Sequence, residues 1–277
     1  MSDTINTIFG DGSGLFMPAE NLLDIMRCRI VPAVFTGNSE EDNKANADLF
    51  LCLTEEGRTQ GFCPVLVEKD IKHYIRQELF GFSDSNEEYP QITQHLIQLA
   101  KGNCFSVWIG KLIYNYYLEG AEYDDVAMDS LGLLDPPVTQ NYLDRFANSI
   151  NTKPFLLGED NSHKPYDFSY ENHVFALVPV KEPWEVLAWI PMGGFNWCPD
   201  QVHQVALAKG LYEQFGARIL YISFSALEYY IPIPITKKED MDKAAKILIA
   251  ADSDIYEDYD VVADRILGSH VWSMWWD

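Results

Sequence analysis

The sequence is short of positive charge: 20 Lys and Arg stand against 42 Asp and Glu in 277 residues, a net charge of −22. Such a surface repels phosphate backbones, and the longest basic run is the pair Lys237 and Lys238, so nucleic-acid partners are excluded. The same sign disfavours anionic membrane surfaces. Cysteine is scarce too. The five (Cys28, Cys52, Cys63, Cys104, Cys198) are odd in number, widely spaced and free of any CxxC, which excludes a disulfide framework and a structural zinc site. None of the six histidines falls in H-x-x-x-H or H-E-x-x-H, so no metal and no cofactor is expected. No apolar run approaches the roughly 18 residues of a membrane span, and the N-terminus lacks a basic segment followed by an apolar one. A cytoplasmic location without membrane contact is the expectation. Internal repeats and low-complexity tracts are absent.

What is present is core-forming material. Apolar residues make up 47% and aromatics 13%, far from a composition that resists collapse. One polar stretch, Gly158–Pro165 (GEDNSHKP), lacks apolar periodicity and marks a seam. The expected organisation is a region 1–157 with α/β content and a helix-rich middle, a linker 158–172, and a compact unit 173–277. Before residue 173 there are 12 basic and 27 acidic residues, against 8 and 15 after it. An acidic contact surface is therefore expected in the front part.

In that front part, Arg29–Thr36 and Gly61–Glu68 are short β-rich apolar runs and predict buried strands. Helical spacing appears over Asp70–Phe80, Glu88–Lys101, Phe105–Glu119 and Thr139–Ile150. Beyond the seam, His173–Val180 and Trp184–Met192 predict strands, and Pro199–Phe215 a helix closed by Gly216. Arg218–Phe224 and Leu227–Ile233 predict a hairpin. Thr236 with Glu239 forms a capping-box pattern ahead of a helix over Met241–Ala251. A last helix near Tyr259–Leu267 leads to an aromatic strand at Val271–Trp276. The class is α+β: a mainly antiparallel sheet with helices packed on one face in the rear part, and a helix-rich middle segment.

Candidate chemistry is sparse. Cys198 precedes Pro199, which suits the first position of a helix, and a thiol at that end of the dipole becomes more acidic. It is the candidate nucleophile, and a buried Cys fixing a corner is the structural alternative. Trp184, Trp197, Trp275 and Trp276, with Asn196 and Asp277, are candidates for binding a ligand or a partner; core packing and capping account for the same residues. Trp275 or Trp276 is expected near the corner Phe195–Pro199, with Trp184–Asn196 and Val271–Asp277 in one sheet. The segment Gly10–Gly14 after a possible strand Thr4–Phe9 lacks the register of a phosphate loop. Residues 252–258 carry alternating carboxylates without a calcium-loop pattern, and predict a solvated acidic turn.

Pro183–Asn196 (PWEVLAWIPMGGFN), the following Cys198 and Pro199, Tyr212–Ala217 (YEQFGA) and Val271–Asp277 (VWSMWWD) together resemble the bacterial DUF4253 family. Gly61–Glu68 (GFCPVLVE) looks like a segment of its longer members, which implies that the front part shares the architecture. The chain departs from the family where a second Cys-Pro often follows the penultimate helix, carrying Asp252-Ser253-Asp254-Ile255-Tyr256 instead. The resemblance implies a fold and supplies no catalytic residue, since the family has no assigned function.

Three functional classes follow. The leading one is a non-enzymatic, acidic module that binds a basic protein, of the kind that neutralises a toxin, with Glu40, Glu41, Asp42, Glu87, Glu88, Asp124 and Asp125 steering the partner. The others are a hydrolase or transferase using Cys198, and a small-ligand sensor with a Trp-lined pocket. The oligomeric state is open.

Overall fold

The computed structural model describes residues 28–69, 138–157, 169–190, 192–193, 198–199, 201–252, 255–256 and 258–276. The expected strand Thr4–Phe9, the Gly10–Gly14 loop, the three helices between residues 70 and 119, the Gly158–Pro165 seam, and Asn196, Trp197 and Asp277 lie outside them.

Six strands form one sheet: β1 (Arg29–Pro32), β2 (Cys63–Glu68), β3 (His173–Val178), β4 (Arg218–Ile222), β5 (Ala226–Tyr230) and β6 (Val271–Trp275). Their order across the sheet is β1-β3-β2-β4-β5-β6, antiparallel throughout except for β2 against β4. Two strands come from before the seam and four from after it. β3 lies between β1 and β2, with Val31 opposite Phe175 on one side and Leu66 opposite Phe175 on the other. Every residue of β3 is buried, which is why Val174–Val178 is a continuous apolar run with no alternation.

The helices after residue 173 pack on one face, as the sequence predicts. These are α3 (Val186–Trp189), α4 (Gln201–Phe215), α5 (Lys238–Ala251) and α6 (Tyr259–Ile266), joined there by Tyr142 of α2 (Gln140–Asp144). The second face is covered by α1 (Ser39–Gln60), a helix the apolar periodicity did not mark. Its local signals are caps. Asn38 Oδ1 accepts from the amide of Glu40 at 3.2 Å, three acidic residues fill the first turn, and Gly61 closes the helix at φ 79°. Phe50 supplies the packing: its ring lies edge-on to Tyr230 and Phe155, at 5.6 and 6.1 Å, and 6.4 Å from Phe175.

Two buried polar residues fasten α1 to the end of β1. Asn46 receives the Val34 amide at 2.8 Å and donates to the Val34 carbonyl at 2.9 Å. Asp42 accepts from the amide and hydroxyl of Thr36, both at 2.8 Å, and is 2% exposed. Asp42 is therefore a structural anchor and not one of the steering charges.

Three other expectations are corrected. Trp184–Met192 is not a strand: Pro183–Glu185 forms a 3₁₀ turn that runs into α3, so this block does not share the sheet with β6. Pro183 suits a helix start, and the Glu185 carboxylate accepts from the amides of Lys181 and Glu182. Burial on all sides makes the segment uniformly apolar, and uniform apolarity carries no period. Thr236 does not cap α5, whose preceding residue Lys237 makes no side-chain cap. The helix at Thr139 ends at Asp144, with the Thr139 hydroxyl accepting from the Tyr142 amide.

The expected solvated turn after α5 is also different in kind. Asp252 is 1% exposed, and its carboxylate accepts from the Trp275 amide at 2.7 Å and the Ile255 amide at 3.2 Å. The Tyr256 hydroxyl donates to the Ser273 carbonyl at 2.7 Å, and Asp258 caps α6 through the Val261 amide. Ser269 Oγ accepts from the Val271 amide at 3.1 Å. Side chains thus occupy backbone groups on the outer edge of β6.

Candidate functional site

The corner ahead of α4 is built by close backbone approach. Gly193, at φ 104°, sits so that a Cβ there would come within 2.1 Å of the Pro199 carbonyl oxygen and 3.3 Å of Cys198 Sγ. Only glycine fits. The Cys198 thiol behind it is 5% exposed, and Gln204, in the second turn of α4, donates from Nε2 to the sulfur at 3.3 Å. An amide takes no proton at neutral pH, so Gln204 cannot act as the general base that a thiol nucleophile uses.

Around that corner the helix-covered core holds polar atoms that no hydrogen bond uses. Among the described residues, Gln204 Oε1, the Tyr229 hydroxyl and Trp272 Nε1 are closed off from water and without partners. Tyr229 and Trp272 face each other across β5 and β6, and the Trp272 ring meets Phe215 edge-on at 5.2 Å. Burial pushes the Tyr229 phenol above its ordinary range, with the neighbouring Cys198 adding to the effect. The sequence gives a weak pointer at best to Gln204 and Tyr229, because neither belongs to a motif.

The aromatic candidates divide. Trp184 and Trp276 are buried in the same core as Cys198, and Trp276 spends its Nε1 on the Ala251 carbonyl at 3.2 Å. Trp275 is half-buried and touches the cores on both faces. Two other thiols are buried: Cys63 is pushed up to about 12 by burial, and Cys28 is driven in the same direction by the same cause. Among the described residues, no three His, Cys, Asp or Glu side chains form a group that could hold a metal.

One prediction follows for Cys198. Alkylation by iodoacetamide at pH 7 in the folded protein is expected to run at least tenfold slower than for a small model thiol, since a closed-off thiol reacts only through opening. Mass spectrometry of labelled peptides measures it, and a rate at or above the model thiol restores the nucleophile.

The outward face of α1 is of the opposite character. Glu41, Asp48 and Glu55 recur every seven residues on one exposed stripe, with Lys44 and Leu51 between them and Arg58 after Glu55. Glu40 is exposed beside the helix start, and Phe35, 48% exposed, lies just before it. Arg58 pairs with Glu55 at 2.5 Å, in an ion pair open to solvent on both sides. Glu87, Glu88, Asp124 and Asp125 lie outside the described residues.

The family described as a domain of unknown function, DUF4253, matches residues 174–277. The matched part contains β3 to β6 and α3 to α6, and leaves out β1, α1 and β2. No curated protein matches the chain, and no solved structure does. Among the described residues, no helix is long and apolar enough to cross a membrane.

Proposed function

We propose that this chain is a binding protein that engages a basic protein surface through the outward face of α1. The observation that carries the reading is the exposed stripe of Glu41, Asp48 and Glu55, with Leu51 among the charges and Phe35 at its head. Carboxylates on a rigid helix give a fixed pattern of charge, and exposed apolar side chains supply the desolvated anchors that charge alone lacks. The net charge of −22 strengthens attraction at a distance, over a Debye length of about 8 Å at physiological salt. The burial of Cys198 behind Gly193 favours this class over a cysteine enzyme.

The test compares the chain with a variant carrying Glu41→Lys, Asp48→Lys and Glu55→Lys, all at exposed positions where the fold tolerates exchange. Both are used as bait in the native cells under mild crosslinking, and the captured partner is then measured against each bait by stopped-flow. Association with the original chain is expected to slow as salt rises, and the variant is expected to lose at least tenfold in rate, chiefly in the association step. A partner held equally by both, or no partner at all, overturns the reading.

A further inference from the structure

The short helix α2 is fastened to α5 and α6 by a set of side-chain bonds to carboxylates. We infer that it is a salt-released clasp: residues 138–149 lift from the two helices as one unit while the sheet stays folded, which uncovers Tyr259 and the carboxylates of Asp242, Asp260 and Asp264.

Isolated helices below about 12–15 residues are marginal in water, so a helix of 5 residues persists only through what it touches. Its contacts are charged. Asp260 of α6 accepts from the Thr139 hydroxyl at 2.5 Å and from Asn141 Nδ2 at 2.7 Å, which occupies both of its oxygens. Arg145, directly after α2, is bonded to Asp264 and stands 3.6 Å from Asp260, where its Nε is closed off from water and makes no hydrogen bond. On the other side Asp242 of α5 accepts from the Tyr142 hydroxyl and from Lys238 Nζ, both at 2.7 Å. Within α2 only Tyr142 is buried, its ring 5.3 Å from that of Tyr259. The ionic contacts lie nearer the surface: the side chains of Arg145 and Asp260 are 23% and 19% exposed, and that of Asp264 is 65% exposed. Dissolved ions reach them there, so screening weakens the clasp as salt rises.

The chain has a hinge and a second anchor. Ala147, Asn148 and Ser149 are exposed. Beyond them the Lys153 amide donates to the Gly268 carbonyl at 2.8 Å, and Gly268, at φ 71°, lies so close to Asn151 that a Cβ would meet that carbonyl oxygen at 2.6 Å. Phe155 then packs 4.5 Å from Tyr230 in the core that α1 covers. Departure of α2 therefore leaves the rest of the segment in place. Salt acts in opposite senses on the two parts: it relieves the self-repulsion of a chain at −22 and so favours the folded sheet, while it removes the attraction that holds α2.

Hydrogen exchange read by mass spectrometry on the full chain tests this, at low salt and at about 1 M sodium chloride, where the Debye length is about 3 Å. The amides of Leu143, Arg145, Phe146 and Ala147 donate to carbonyls within the segment and report its opening. Their exchange relative to the amides of β3 is expected to rise about tenfold or more at high salt. Arg145→Met is expected to raise it about fivefold at low salt and to flatten the salt response, and Tyr142→Phe, which keeps the ring and loses the bond to Asp242, about threefold. Exchange at α2 that ignores salt, or that follows β3 in both conditions, overturns the inference, as does an unchanged rate in a folded Arg145→Met. Should that variant not fold, the salt comparison on the unaltered chain decides. The clasp shares no residue with the α1 stripe, so either reading can fail alone.

Discussion

A fragment consisting of residues 173–277 is expected not to reach the fold it has in the full chain. This is nearly the stretch that the DUF4253 family matches, and in the sheet it leaves β3 without either neighbour. β1 and β2 flank β3, and β2 is also the strand that joins β3 to β4. Removing them strands six backbone positions of β3 and uncovers the face that α1 buries, including Phe175, Leu177, Leu220, Tyr221 and Tyr230. Each such side chain is worth about 1.5–3 kcal/mol when buried, and a domain's whole stability is about 5–15 kcal/mol. Urea unfolding followed by near-ultraviolet circular dichroism tests this. The full chain should show one cooperative transition, and the fragment a weak aromatic signal with no sharp midpoint. A fragment with the same spectrum and a cooperative transition would show that the front strands are dispensable.

Asp252→Ala is expected to lower stability by about 3 kcal/mol, with Asp252→Asn losing less. The alanine leaves the Trp275 and Ile255 amides without their acceptor in a place where water does not reach, whereas asparagine keeps one oxygen. Chemical denaturation of the two variants under one buffer measures the difference. Equal, small losses would mean that the loop after α5 relaxes to let water in.

Much of the rear architecture is legible in the sequence because its elements carry their own signals. Gly216 ends α4 and adopts φ 69°, the β4–β5 hairpin follows two β-rich runs, and Val271–Trp275 is the strand its composition implies. What escapes is instructive. α1 buries Ala47, Phe50 and Leu53 beside the polar Asn46 and Asp42, so the pattern of its inner face is not a hydrophobic one. The Trp184–Trp189 block is buried all round, and an apolar run of that length fits strand and helix equally until the Pro183 cap is weighed. The candidate site divides in the same manner. Cys198 is visible because it precedes a proline, while Gln204 acquires meaning only when the turn into α4 brings its side chain beside the sulfur, and Tyr229 only when β6 pairs with β5 and sets Trp272 opposite it.

The dressed edge of β6 has a bearing on self-association. An open strand edge recruits another chain through unpaired amides and carbonyls, and repulsion between like-charged molecules is one way to prevent that. Here Asp252, Tyr256 and Ser269 occupy groups on one edge, and at the other β1 is four residues long and ends in Pro32, which has no amide hydrogen to offer. Protection at both ends is stereochemical. Salt or acid that cancels the charge of −22 therefore brings molecules closer together while these two edges, the outer ones among the described strands, stay blunted.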